Sequence, residues 1–149
     1  MKRFAYSILG MCLLLAAPIG QTATQEGGLY TNSAKSKGLP FEMKVSETRR
    51  TPVKSYLKVP GFNERTAVQA RWIMCVFTDL AMKRGFKFWT VVYPPKIPGP
   101  DQLVLAFSNS ERSSPKELLG PDFAADRILG AEMNSVVVFQ SFCKSAGFM

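Results

Sequence analysis

Three cysteines and no histidine bound the chemistry this 149-residue chain can carry. Without imidazole there is no Ser-His-Asp or Cys-His nucleophile, no His-ligated metal and no imidazole proton shuttle. A reactive thiolate at Cys75 would need Lys, Arg or a helix N-terminus beside it. The apolar spacing around Cys75 places it mid-helix, where the dipole helps little. Cys75 and Cys143 alone are too few for structural zinc. Paired carboxylates hydrolyse glycosidic bonds without histidine, and Glu111, Glu117, Asp122, Asp126 and Glu132 are the candidates. All five stand in a polar stretch that reads as solvated surface. No GxGxxG, P-loop, GxSxG or Ser-x-x-Lys pattern supports another reaction. The sequence therefore assigns no catalytic residue, no metal and no cofactor. It reads as a non-enzymatic binding protein, with a carboxylate-dependent cell-wall glycoside hydrolase as the rival.

Charge is the broadest functional signal. The chain holds 19 Lys and Arg against 11 Asp and Glu, a formal charge of +8. Between residues 24 and 65 stand Lys35, Lys37, Lys44, Arg49, Arg50, Lys54, Lys58 and Arg65. Only Glu26, Glu42, Glu47 and Glu64 oppose them. Arg49, Arg50, Lys54 and Lys58 are the densest run and the candidate binding residues. Such a patch suits lipid headgroups or an anionic wall polymer, or else a protein partner.

The N-terminus sets the compartment. Lys2 and Arg3 precede an uncharged run over 4–17 that ends in Leu13-Leu14-Leu15-Ala16-Ala17, and Pro18 and Gly20 follow. This is the signal-peptide pattern. At 1.5 Å per residue the run reaches about 21 Å, short of a bilayer core of about 30 Å. Cleavage is expected after Ala23, or alternatively after Gly20, and leaves no stable transmembrane span. Met11-Cys12 is no lipobox, because the greasiest stretch follows the cysteine. The processed chain is then periplasmic or secreted, which removes nucleic acid as a partner. Losing the leader removes Cys12 and leaves Cys75 and Cys143. These two either form one disulfide in an oxidising compartment or sit as two buried thiols.

The elements that must position these residues follow from periodicity. Residues 1–23 are the leader, 24–50 a flexible basic arm, and 51–149 a single domain. An extended segment runs from Val53 to Val59. A helix is expected from an Asn63 N-cap to Arg84, stopped by Gly85, with Ala70, Ile73, Met74, Phe77, Leu80 and Ala81 on one stripe. Trp72 and Val76 fall on another side, so that helix is covered on more than one flank. Phe86–Tyr93 and Gln102–Ser108 read as strands joined by the proline-rich 94–100 loop. A turn of helix at Ser114-Pro115, a helix over Asp122–Ala131 and a last strand over Ser135–Phe142 complete the chain. The class is α+β: a two-layer β-α-β-β-α-β sandwich of ferredoxin-like type, or a reduced αββαβ variant.

The stretch from Asp79 through Arg84-Gly85-Phe86 to Trp89-Thr90-Val91-Val92 resembles small bacterial envelope proteins and lipoproteins. In those proteins a charged helix end and a glycine lead directly into an aromatic strand. The resemblance covers only this helix end and strand. It implies a cell-envelope setting and a small αβ fold, and it carries no catalytic residues.

Overall fold

The computed structural model describes residues 28–92, 102–121, 123 and 131–149. The expected leader, the 94–100 loop and most of the expected 122–131 helix lie outside them. The class is α+β. Strands β1 (Thr31–Ser33), β2 (Lys44–Arg50), β3 (Lys54–Lys58), β4 (Phe88–Val92), β5 (Gln102–Ser108) and β6 (Asn134–Ser135) form one sheet. Helices α1 (Ala67–Lys83), α2 (Pro115–Leu119) and α3 (Val136–Ser145) accompany it. The strands lie in the order β1-β2-β3-β5-β4-β6, and every neighbouring pair is antiparallel. This is not the expected β-α-β-β-α-β order: two strands precede β3, and the chain's last described element is a helix.

The first departure is the arm. Residues 28–50 are not a loose basic tail but two strands and an intervening turn at the sheet edge. Met43, Val45 and Glu47 alternate inward and are buried, while Lys44, Ser46 and Thr48 alternate outward. That is a period of two, and it is masked in the sequence because one inward position is a carboxylate.

The second departure is α3. The Val-rich run reads as a strand by propensity, yet Val136, Phe139 and Cys143 recur at i, i+3 and i+7. Val136 and Cys143 are buried, and Phe139 lies 5.4 Å from the Trp89 ring. A disulfide from Cys143 to Cys75 clamps this helix onto α1, with the Cα atoms 5.6 Å apart. Packing and a cross-link here outweigh β-propensity.

Helix α1 starts three residues later than expected. Thr66, not Asn63, caps it: its hydroxyl accepts from the Gln69 N–H, and the Gln69 side chain accepts from the Thr66 N–H. This capping box satisfies two orphan donors at once. The other end stops as anticipated. Gly85 takes φ +76, a conformation that favours glycine, and the Phe86 N–H turns back to the Ala81 carbonyl.

The main core lies on the α1 face of the sheet. Trp72, Ile73, Val76, Phe77, Leu80 and Ala81 meet Val45, Leu57, Trp89, Leu103, Leu105 and Phe107 there. A smaller cluster forms on the opposite face, where Leu119 and Phe123 cover Val92, Val104 and Ala106. The two-flank burial expected for α1 holds, with both Trp72 and Val76 inside.

Candidate functional site

Strands β2 and β3 sort the basic run into two faces. On β3, Ser55 and Leu57 point into the α1-side core, so Lys54, Tyr56 and Lys58 belong to the other side. On β2 the register shifts between Glu47 and Arg49, a β-bulge. The extra residue sets Arg49 opposite Tyr56 and Arg50 opposite Ser55. Arg49 is therefore on the outer face, and its guanidinium stacks 3.6 Å above the Tyr56 ring. Lys44, Arg49 and Lys58 are exposed. Neither Lys44 nor Lys58 has an ion-pair partner among the described residues. Lys54 is partly covered: its ammonium donates to the Leu119 carbonyl and lies 5.7 Å from the Phe123 ring. A hollow of about 400 Å³ beside the start of β2 is lined by Ser33, Lys35, Glu42, Met43, Lys44 and Pro60. Within it Glu42 is neutralised by Lys35 at 2.6 Å.

Of the four singled-out cations, Arg49, Lys54 and Lys58 thus share a face and Arg50 does not. Arg50 turns to the core side and donates through Nε and Nη2 to Glu47. Lys44 and Tyr56 complete the outer face, and strand alternation around Val45 and Leu57 is the signal that would have found them.

Glu47 is the one carboxylate of these two strands, and it is only 4% exposed. Burial by itself disfavours its ionised form. Hydrogen bonds from Arg50, the Ser55 hydroxyl and the Tyr30 N–H outweigh burial and hold the carboxyl below its usual range. Ser55 also accepts from Arg84 at 2.8 Å. Arg84 donates further to the carbonyls of Lys54, Thr51 and Pro52, and its guanidinium lies 4.7 Å from the Phe107 ring. Burial lowers the Arg84 pKa from its ordinary value. This Glu47–Ser55–Arg84 chain puts a hydroxyl against a carboxylate, yet Ser55 has no exposure, so no substrate reaches it. Its work is to tie β2, β3 and the end of α1 together.

Of the carboxylates weighed for hydrolysis, Glu111, Glu117 and Glu132 are exposed, and Asp122 and Asp126 lie outside the described residues. Among the described residues no group of three or more His, Cys, Asp or Glu side chains is placed to hold a metal. The Cys75–Cys143 bridge joins α1 to α3, with both cysteines buried. Among the described residues no helix is long and apolar enough to cross a membrane. Comparison with protein-family models, with curated proteins and with solved structures finds no match to this chain.

Proposed function

We infer that this chain is an exported bacterial envelope protein that acts by binding, without enzymatic activity, and that its β2–β3 outer face holds an anionic envelope polymer. The observation that carries this reading is the sorting of charge across two strands. Lys44, Arg49, Lys54 and Lys58 stand on one face, while the only carboxylate of the two strands, Glu47, is turned to the other. A sheet face whose strands carry charge of one sign raises the local concentration of a polyanion and grips its repeating charges without a deep pocket. Arg49 stacked on Tyr56 is held ready, so less side-chain entropy is lost on binding. Export is supported by the leader pattern of residues 1–23 and by a disulfide of the kind that persists in oxidising compartments. The helix–Gly–aromatic resemblance points to the same envelope setting.

The test is binding to poly(glycerol phosphate) and to lipopolysaccharide across a salt series. Affinity is expected to fall steadily as salt rises, because each contact releases counterions. Lys44→Ala, Arg49→Ala and Lys58→Ala together should weaken binding by at least about tenfold, roughly 1.4 kcal/mol or more. Binding that ignores salt, or that survives the triple substitution, defeats the reading.

A further inference from the structure

Helix α3 presents an apolar face to solvent. Val136, Phe139 and Cys143 use its inner side, which leaves Val137 71%, Val138 66% and Phe142 42% exposed. Between them stand Ser141 and Ser145, whose hydroxyls donate back to the carbonyls of Val137 and Ser141. Each serine thus satisfies its donor within the helix and offers less polarity outward, as hydroxyls do in apolar surroundings. Lys144 is the only charged residue of the helix.

Beside this helix lies a cleft of about 240 Å³. Lys37, Asp79, Met82, Gln140, Lys144 and Phe148 are among the residues that line it. Its one side-chain carboxylate is already engaged: Asp79 accepts from the Tyr30 hydroxyl at 2.7 Å and pairs with Lys83 at 3.0 Å. Lys37 and Lys144 have no ion-pair partner among the described residues. An exposed apolar ridge thus adjoins a cleft with two ammonium groups that take part in no ion pair among the described residues.

We propose that α3 and this cleft dock on an anionic lipid bilayer, with Val137, Val138 and Phe142 entering the acyl boundary and Lys37 and Lys144 taking headgroup phosphates. Apolar residues flanked by lysines are the pattern of a helix lying in the membrane interface. A second copy of the chain fits less well. The three side chains expose on the order of 300 Å², against about 800 Å² per partner in a standard protein interface. Two copies meeting here would also bring like-charged lysines together. The helix lies on the surface and does not span it, in keeping with its Val136–Ser145 length. This surface is separate from the β2–β3 face, so either proposal can fail alone.

The experiment uses the full-length chain with Phe142→Trp as a reporter, since Trp72 and Trp89 are buried and silent to solvent. The apolar run over 4–17 binds lipid on its own account in every variant, so partitioning is scored at residue 142 by its blue shift and bromolipid quenching, not by capture of the chain. Emission should shift to the blue, and be quenched by brominated acyl chains, with phosphatidylglycerol–phosphatidylcholine vesicles. It should not move with phosphatidylcholine vesicles or with soluble poly(glycerol phosphate). Adding Val138→Asp should weaken vesicle partitioning by about tenfold or more, and Lys37→Gln/Lys144→Gln should abolish the preference for anionic lipid. Val138→Ser repeats the test if the aspartate variant loses its near-ultraviolet circular dichroism. An unmoved reporter signal, or partitioning indifferent to both Val138 variants, overturns the proposal. A blue shift that needs no lipid and grows with protein concentration also overturns it, in favour of self-association.

Discussion

Arg84, just beyond the last turn of α1, donates to the Ser55 hydroxyl near the start of β3 at 2.8 Å. One guanidinium therefore anchors the helix end to the sheet and to the Thr51–Pro52 turn together. Lysine has a point charge and cannot reproduce this fork. Arg84→Lys should cost about 2–3 kcal/mol, and Arg84→Ala at least as much, because several carbonyls and Ser55 lose their donor. Urea unfolding followed by tryptophan fluorescence measures it. A loss below about 0.5 kcal/mol for both would show that the contacts are dispensable.

Glu47 makes stability depend on acid. Its carboxyl is held below the ordinary range of about 4.3, so the folded state gives up the proton more readily than the unfolded chain. Its contribution is complete above the unfolded pKa and is lost as pH falls through the lower folded value. Urea midpoints should therefore decline below about pH 4.5 in the parent protein. Glu47→Gln should be destabilised by about 1.5–3 kcal/mol at pH 7, because Arg50, Ser55 and the Tyr30 N–H lose a charged acceptor, and its acid decline should be shallower.

The disulfide closes a loop with a sequence separation of 68. In the chain-entropy model that is worth about 4 kcal/mol. The unreduced, denatured full-length chain should show one titratable thiol, from Cys12, and two more only after reduction. Three thiols before reduction would disprove the bridge. Cys75→Ser/Cys143→Ser should unfold at lower urea and should release α3 first, visible as faster amide exchange in Val136–Ser145.

Tyr30 should titrate late. Burial pushes its hydroxyl well above the ordinary phenol range of about 10, and the bond to Asp79 acts in the same direction. The Asn32 amide, donating to the same oxygen, pulls the other way without reversing the shift. A raised folded pKa gives stability that is complete below the unfolded value and lost as pH rises past it. Absorbance at alkaline pH should find Tyr30 silent in the folded protein and released on unfolding. Tyr30→Phe should remove that late step and cost about 1 kcal/mol.

Elements with a single dominant local signal are legible in the sequence. The α1 stripe with its Gly85 stop matches the structure to within a few residues, and the Gln102–Ser108 strand matches it with its bounds intact. The helix start is ambiguous because Asn63 and Thr66 are both good caps, and only Thr66 has a Gln three residues on. Residues 28–50 read as an arm because β1 is only three residues long and β2 is polar on its outer side and carries Glu47 at an inward position. The candidate site is legible as a run of cations but not as a face, since Arg49 and Arg50 are neighbours in sequence and opposites in space.

Residue types and short spacings are enough to say that imidazole chemistry is absent, where charge accumulates, and which two cysteines lie outside the leader-like segment. None of those properties needs a folded chain. Which cations face solvent together, and whether the Val-rich segment is strand or helix, were settled by tertiary contacts. Side-chain direction on β2 depends on a bulge defined only against β3, and α3 owes its form to a cross-link and a packing face supplied by α1. Both are long-range pairings, and no local window of sequence contains them.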